Sequence, residues 1–489
     1  MATIALINPP NPPRGVSNKD TMGGLGQLYP AGANGFPPLD IPYTAAVLRG
    51  NGIPVQVIDC LGCELELGEL ILRLQEERPE LVAIRTSTPT FEWDMRVVQI
   101  IKMVIGSPVI VFGPHVTLFP EQTLGQPSVD AAIVGEPEFA IRDIAVGGRF
   151  RGCKGVGYKE NGKIVWNEPS GPIADLDSLP FPAWDLMPLH AYEGGRLMRF
   201  LKPFVTALTS RGCPYTCSYC PYPVMQGRKQ RARSPDNVVD ELEWLTKSLG
   251  VKAVLFRDPE FALRRERVVG ICDNILKRGV RVAWRCETRM EDLDEELITL
   301  MGKAGCIGIN MGIESGDPQV LKNVHRKAVP FAETKRIIEM CKRHEIDTFC
   351  FFVLGLPGED QASALKTIDY AVRLGAAVTQ FTVATPYPGT ELRRWAEGRG
   401  YIEEGKLSAM TSYNPLMRNE HLTVEEIRWL QWYAHEAMAM RWRQVAGRMM
   451  GGGRQVASEV KRWLNFHVEK VTQRGLKRIS GASGSAIAP

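Results

Sequence analysis

The chain has 489 residues, too many for one compact core, so two or three domains are expected. Hydrophobic residues make up 44% and charged residues 23%, as in ordinary globular proteins, and the formal charge of +4 is too small to suggest nucleic acid as the main partner. No run of about 18 apolar residues appears, so no membrane-spanning helix is expected. Met1–Asn8 has no basic region followed by a cleavage site; it reads as a first β-strand, and a cytoplasmic chain follows by default. Eleven cysteines, an odd count, point to metal binding or buried free thiols, not to a disulfide framework.

Residues 1–150 alternate strand-like and helix-like runs. Strands are expected at Ile4–Ile7, Val55–Ile58, Leu81–Ile84, Val109–Phe112 and Ala131–Val134, with helices such as Leu67–Glu77 and Trp93–Val104 between them. This pattern predicts a doubly wound, Rossmann-like parallel sheet whose ligands sit beyond the carboxyl ends of its strands. Those ends carry Asn8-Pro9-Pro10, Arg85-Thr86-Ser87-Thr88, Gly113-Pro114-His115 and Gly135-Glu136-Pro137-Glu138. Residues 151–200 form a connector, with a small hairpin at Gly155–Tyr158 and a proline-rich loop at Leu179–Asp185. In residues 201–400 the alternation resumes, with strands at Phe204–Leu208, Ala253–Phe256, Val282–Arg285, Gly308–Gly312, Thr348–Leu354 and Gln380–Ala384. Six βα units predict a partial (β/α)6 barrel, similar to a TIM barrel, with its chemistry at the carboxyl-end face. Residues 401–489 read as a helical extension. Its basic stretch Arg441–Arg478 is split by Gly451-Gly452-Gly453, and the tail is expected to be disordered.

The strongest local signal is Ser210-Arg211-Gly212-Cys213-Pro214-Tyr215-Thr216-Cys217-Ser218-Tyr219-Cys220-Pro221. Gly212 and Pro214 keep this stretch out of a helix, so three thiolates can converge on one face of an iron-sulfur cubane. Three ligands leave one iron open to a substrate or cofactor. A zinc site or a fully ligated electron-transfer cluster is the alternative. Structural zinc usually takes four ligands, often as paired Cys-x-x-Cys units, and no second unit or fourth cysteine lies nearby.

The spacing of Cys213, Cys217 and Cys220, with Tyr219 before the third, resembles the signature of the radical S-adenosylmethionine superfamily. The resemblance implies a [4Fe-4S] cluster whose open iron is chelated by S-adenosylmethionine, which one electron cleaves to methionine and a 5′-deoxyadenosyl radical. Met311–Asp317 is similar to the family's fourth-strand motif, Val353–Glu359 to its fifth-strand motif and Ala384–Leu392 to the motif after the sixth strand. Arg257–Phe261 and Cys286–Arg289 fall after strands two and three. On this basis Tyr219, Asp258, Glu260, Arg289, Glu314, Ser315, Gly355 and Pro357 are expected at S-adenosylmethionine, though Glu314 and Ser315 read equally as a helix-capping pair.

The first domain resembles the cobalamin-binding domain of the subfamily that uses both cofactors, through Asn8–Pro10, Pro37–Tyr43, Val57–Asp59, Gly113–Thr117 and Val129–Glu138. The resemblance places Pro10, Thr86, Ser87, Thr88, Gly113, Pro114, His115, Gly135 and Glu136 at cobalamin. The Asp-x-His-x-x-Gly loop of other cobalamin domains is missing after the first strand, so cobalt is expected to have no histidine beneath it. His115 reads better as a hydrogen-bonded loop histidine than as a ligand. Cys60 and Cys63 read as ordinary thiols before a redox pair, and Cys153, Cys272, Cys286, Cys306, Cys341 and Cys350 suggest no second cluster.

With both cofactors, the resemblance implies methylation of an unactivated carbon in a small-molecule, lipid or tetrapyrrole substrate, with an external one-electron donor such as flavodoxin or ferredoxin. An oxidative cyclase or ring-rearranging enzyme is the runner-up. A tRNA methylthiotransferase would need a further three-cysteine set in the first domain, which Cys60, Cys63 and Cys153 fit poorly. A non-catalytic electron carrier is the reading from another class. Trp432, Trp442, Trp463 and Phe466 on the basic C-terminal helices would suit a peripheral contact with an anionic membrane, but a solvated helical cap is the plainer reading.

Overall fold

Short apolar runs, buried from end to end, build two parallel sheets. The computed structural model describes residues 3–13, 15–30, 35–192, 194–403, 405 and 407–449. In chain order the strands of the first region are β1 (Ile4–Asn8), β2 (Gly15–Asn18), β3 (Gln27–Pro30), β4 (Val55–Asp59), β5 (Leu81–Arg85), β6 (Val109–Phe112), β7 (Ala131–Ile133), β8 (Val156–Glu160) and β9 (Lys163–Trp166). The main sheet has the order β4-β1-β5-β6-β7-β8-β9. Its first five strands are parallel, with Ile4 opposite both Val55 and Leu81. Every residue of β1 and β5 is buried, as a sheet covered on both faces requires. On one face Ile7, Ile58, Ile84 and Val111 pack with Leu70, Leu74, Val98 and Ile101 of the helices Leu67–Glu77 and Phe91–Ile105. The strand order reverses between β1 and β5, where a doubly wound sheet opens a crevice for ligands. The hairpin expected in the connector is not free-standing. Strands β8 and β9 add antiparallel to β7, so the sheet runs beyond residue 150.

The second sheet contains β10 (Phe204–Ala207), then, after the short antiparallel pair β11 (Ser210–Arg211) and β12 (Arg231–Ala232), the strands β13 (Ala253–Phe256), β14 (Ala283–Glu287), β15 (Cys306–Glu314), β16 (Asp347–Leu354) and β17 (Val378–Val383). It is all parallel in sequential order, and β10 and β17 are its unjoined ends: a partial barrel of six strands. Each strand except the last is followed by a helix that returns the chain antiparallel, as right-handed βαβ units require.

The sequence did not announce the β2–β3 hairpin. It belongs to the segment that follows β1, and that segment is fastened over the ends of the first sheet. The Lys19 ammonium is buried, bonds the Arg85 carbonyl and pairs with Asp94 at 3.1 Å. Arg85 in turn pairs with Asp20 at 2.6 Å and Asp40 at 2.5 Å. Burial lowers the proton affinity of Lys19, and Asp94 opposes that shift.

A second buried ionic junction joins the two sheets. Arg211 pairs with Glu138 at 2.6 Å and with Glu136 at 3.2 Å, and Arg231 pairs with Glu136 at 2.8 Å. Glu136 faces two guanidiniums, which hold its carboxyl below the usual range. Burial pushes the Glu138 carboxyl up, against the attraction of Arg211.

Residues 1–428 form one compact unit and residues 429–489 another. Helix Val424–Met449 supplies the described part of the second unit, where Trp429 stacks on Tyr433 with ring centroids 5.3 Å apart and Trp432 is exposed. The side chain of Trp442, the glycine run at 451–453, Trp463, Phe466 and the tail lie outside the described residues. No described helix is long and apolar enough to cross a membrane.

Substituting Arg211→Met leaves the Glu138 carboxylate buried without a cation. The expected loss is about 3–5 kcal/mol of unfolding free energy in urea, part of which the double variant Arg211→Met/Glu138→Leu restores.

Candidate active site at the cysteine loop

The cysteine loop leaves β11 at a glycine that no other residue can replace without strain. Gly212 has φ +88°, and a Cβ there would strike the carbonyl oxygen of Lys229. Backbone bonds clamp the loop from three directions. Cys213 N donates to Gly227 O at 3.1 Å, Ser218 N to Val324 O at 3.2 Å, and Leu392 N to Ser218 O at 2.9 Å. Within the loop, Cys220 N donates to Cys217 O at 3.1 Å. The clamping segments belong to distant parts of the barrel, so the loop's shape is set by the tertiary fold.

Cys213, Cys217 and Cys220 line one cavity of about 430 Å³ at the carboxyl end of the barrel. Among the described residues, no three His, Cys, Asp or Glu side chains close on one point as a single-ion site requires. The three thiols border the cavity named above. Burial raises all three thiols, that of Cys213 to about 11, so loading a metal centre releases protons.

Four of the eight residues expected at S-adenosylmethionine line this cavity: Tyr219, Glu260, Arg289 and Glu314. Glu314 ends β15 at φ +69°, just after a register shift, a strained placement that a bulky residue adopts only when its surroundings dictate it. Its carboxyl is raised by burial, with Arg326 opposing and the Tyr219 hydroxyl bonded to it. Glu260 accepts from the Thr288 hydroxyl and from Arg289 N at 3.0 Å. Burial pushes the Glu260 carboxyl up to about 8. The Arg289 guanidinium lies 3.9 Å from the Tyr215 ring centroid and pairs with Glu291.

The other four do not line the cavity, each for a local reason. Asp258 accepts from Thr209 N at 3.1 Å, the Thr209 hydroxyl at 2.8 Å and the Ser210 hydroxyl at 2.6 Å, and so braces the turn before the cysteine loop. The Ser315 hydroxyl meets that of Thr367 at 2.9 Å and accepts from Asp317 N at 3.1 Å. Gly355 N donates to Glu359 at 2.6 Å, and its α-carbon abuts Ile427. The Pro357 carbonyl accepts from Asn323 at 3.0 Å.

Arg326 was not anticipated. It sits beside Cys217 and Glu314, donates to the Gly312 carbonyl at 2.6 Å and keeps its Nε unpartnered though buried. Its only sequence signal is the basic run His325-Arg326-Lys327 shortly after the Glu314 motif. Gln27 and Tyr29 of β3 also line the barrel cavity. Gln27 donates to the Tyr387 hydroxyl at 2.7 Å and accepts from Ser412 N at 2.9 Å, locking the hairpin onto the barrel.

The residues expected at cobalamin divide into three groups. Pro10 borders a hollow of about 810 Å³ at the ends of β1 and β4, with Cys60, Gly62, Trp93 and Tyr192. Gly113, Pro114, Gly135 and Glu136 border a smaller cavity, about 120 Å³, between the two sheets. Glu136 is engaged there by Arg211 and Arg231. Thr86, Ser87, Thr88 and His115 line none of these three cavities. Thr86 donates to Asp94 at 2.8 Å, Ser87 bonds Thr90 at 2.9 Å, and Thr88 N donates to Leu25 O at 3.0 Å. His115 bonds Thr88 at 3.3 Å and lies between Phe91 and Phe119, with centroids at 4.0 Å and 4.9 Å. Burial pushes its imidazole down to about 3, so it stays neutral.

The donor sets fit the groups that the motifs imply. Three thiols, two unpartnered guanidinium Nε atoms (Arg289 and Arg326) and the carboxyls of Glu260 and Glu314, among those around one cavity, suit a cluster with an amino-acid-bearing sulfonium ligand. The smaller cavity offers a buried, unpartnered Arg85 Nη1, fit for an amide of a corrin side chain. Asp20, Gly23 and Gly24 form part of its wall, and a Cβ on Gly24 would strike Pro114. No histidine lines either cavity of the first domain.

Two outcomes follow. Gly212→Ala is expected to fold yet retain less than a third of the wild-type iron after reconstitution, measured by iron and sulfide analysis. The native protein keeps the Glu260 proton at pH values where the unfolded chain has lost it, so this residue's contribution to stability falls as pH rises from about 4.5 to about 8. Glu260→Gln is expected to lessen the loss of stability between pH 5 and pH 8 by a few kcal/mol, each tenfold in proton affinity being about 1.4 kcal/mol, as read by urea titration at both pH values.

Comparison with known proteins agrees with the geometry. Residues 208–371 match the model of the radical SAM superfamily, and residues 33–145 match that of the B12 binding domain. An uncharacterized methyltransferase, PH0819, of Pyrococcus horikoshii is 31% identical over 398 residues, covering 80% of this chain and 85% of that one. The anaerobic magnesium-protoporphyrin IX monomethyl ester cyclase of Rubrivivax gelatinosus is 29% identical over 373 residues, 74% of this chain and 66% of its own length. Among solved structures, the radical S-adenosylmethionine methyltransferase TsrM of Kitasatospora setae, with cobalamin and a [4Fe-4S] cluster bound, superposes with a TM-score of 0.66 at 20% identity, over 83% of this chain and 76% of that one; this likeness is one of fold. The matched domains bring a [4Fe-4S] cluster, S-adenosylmethionine and cobalamin as cofactors. The chain belongs to the radical SAM superfamily, in the group of enzymes that carry a B12-binding domain ahead of the barrel.

Proposed function

We propose that this enzyme methylates an unactivated carbon of a small molecule. The observation that supports it is a cavity built by both domains: the three cysteines share it with Gln27 and Tyr29 of the first domain, and the ends of β7 and β11 are pinned together by Arg211 and Glu138. A reaction that draws on two cofactors at one carbon needs such a shared space. When bound, the cluster with S-adenosylmethionine supplies a hydrogen-abstracting radical and cobalamin supplies a methyl group. Cys213, Cys217 and Cys220 hold the cluster. Arg326 offers its free Nε to a carboxylate, and Glu314 offers its carboxyl to an ammonium group. The Gln27–Tyr387–Ser412 lock fastens β3 against the barrel beside the cavity. Gly113, Pro114 and Gly135, with Arg85, border the space for the corrin.

The electron enters from outside the chain, carried by a flavodoxin or ferredoxin. Gly227, Arg228 and Lys229 are exposed in the loop whose Gly227 carbonyl accepts from Cys213 N, and they offer an acidic carrier a short route. A second reading, oxidative cyclisation, is favoured by the relatives named as cyclases. Product mass separates the two: methylation adds one CH2 unit, cyclisation changes only hydrogen and oxygen.

Anaerobically reconstituted protein with S-adenosylmethionine and dithionite is expected to release 5′-deoxyadenosine. The variant carrying Cys213→Ala, Cys217→Ala and Cys220→Ala is expected to release none; equal release by both refutes the reading. Arg326→Met is expected to keep its iron but bind S-adenosylmethionine roughly 10- to 100-fold more weakly, the worth of one hydrogen bond between charged groups, measured by equilibrium dialysis.

A further inference from the structure

The side chains that line the cavity of the cysteines fall into two unlike sets. On the cysteine side, Arg289 and Arg326 keep buried Nε atoms without partners. On the other side Phe349 and Phe351 of β16 are half-buried, stacked with centroids 4.8 Å apart, and Tyr29 lies 5.7 Å from Tyr413. Phe36 adds a further ring to this wall.

The polar atoms of the aromatic half are already engaged. The Tyr29 hydroxyl bonds that of Tyr413, which accepts from Gln380. Gln27 is held by Tyr387 and Ser412. Arg257, the cation on this side, donates to Glu287 at 2.8 Å and to the Asp20 carbonyl at 3.3 Å. Glu287 receives Arg257 and, at 3.4 Å, Asn310 on Oε1, which leaves Oε2 as an acceptor without a bond among the described residues.

From this division we infer the chemical class of the substrate: an uncharged molecule with a flat, apolar body and an N–H or O–H donor that meets Glu287. The inference rests on the cavity being the substrate site of the proposed reaction. Flat rings gain from offset or edge contacts with Phe349, Phe351, Tyr29 and Tyr413. A phosphate, phosphonate or carboxylate placed against the rings loses its water and meets Arg257 already paired with Glu287, while the unpartnered Nε atoms belong to Arg289, which packs on Tyr215, and Arg326, which adjoins Cys217. One donor gains from Glu287, whose charge Arg257 balances.

The test uses the reconstituted full-length protein under anaerobic conditions and two fluorescent probes, 2-naphthol and 2-naphthyl phosphate, in direct titrations. 2-Naphthol is expected to bind saturably and at least tenfold more tightly than the phosphate. The double variant Phe349→Ser/Phe351→Ser is expected to weaken 2-naphthol at least tenfold, with iron content reporting that its loop is intact. Glu287→Gln is expected to weaken 2-naphthol severalfold and leave 2-methoxynaphthalene, which has no donor, unchanged. Equal or tighter binding of the phosphate, no saturable binding of 2-naphthol, or a double variant that binds like the wild type overturns the inference. The wild-type comparison of the two probes needs no variant to fold. A protein that releases 5′-deoxyadenosine yet prefers the phosphate refutes this substrate class alone. One that prefers 2-naphthol but releases none refutes the methylation reading alone.

Discussion

The buried ionic junction of Arg211, Arg231, Glu136 and Glu138 sets the relation between the two sheets, and the site depends on it. Removing such ions from water costs several kcal/mol each, and the mutual attraction offsets that cost only with close geometry. Here Arg211 meets both carboxylates and Glu136 meets both guanidiniums. An apolar patch of equal area would be no less stable, but it would tolerate sliding. A charge network that is satisfied in one register does not. Arg211 immediately precedes Gly212 and Cys213, and Glu136 follows the end of β7. The junction therefore ties the first sheet to the residue that immediately precedes the cysteine loop.

The loop itself has little local preference for its shape. Its prolines and glycine forbid helix, and its curvature is imposed by the segments that receive its backbone bonds, around Gly227, Val324 and Leu392. Those segments come after β11, after β15 and after β17, so half the barrel must close before three thiols share one cavity. The positive φ of Gly212 at the loop's start and of Glu314 at its neighbour on β15 are two conformations that only the completed barrel holds. Contact with a ligand is thereby tied to the integrity of the fold.

The alternation of apolar runs and amphipathic helices made both parallel sheets legible, because a strand buried on both faces needs an uninterrupted apolar run. The cysteines were legible through their spacing. Motif resemblance was weaker at naming single contacts. Asp258, Ser315, Gly355 and Pro357 sit within recognisable strand-end motifs, but a strand end must also brace its own turn, and these residues do that. Thr86, Ser87 and Thr88 were read as ligand contacts because they end a strand at the crevice. In the structure they bond to the surroundings of the buried Lys19–Asp94 pair and to the segment laid over it. Gln27 and Tyr29 were illegible for another reason. Their partners Tyr387 and Tyr413 lie more than 350 residues away, and no periodicity announces a pairing at that separation.

Charge placement within the barrel mouth separates recognition from chemistry. Near the cysteines, guanidiniums are buried yet incompletely bonded, an arrangement whose cost persists until an anionic group arrives. That cost makes the cysteine half receptive to a zwitterionic cofactor. Across the cavity the one guanidinium is balanced by Glu287, and the hydroxyls bond one another. Binding there gains from ring contact and loses from any unbalanced charge. The proposed reading assigns the guanidiniums beside the cysteines to the cofactor and the aromatic rings to the substrate. The first domain takes part in this division directly, since Tyr29 comes from the same segment whose Lys19 and Asp20 close over its own strand ends.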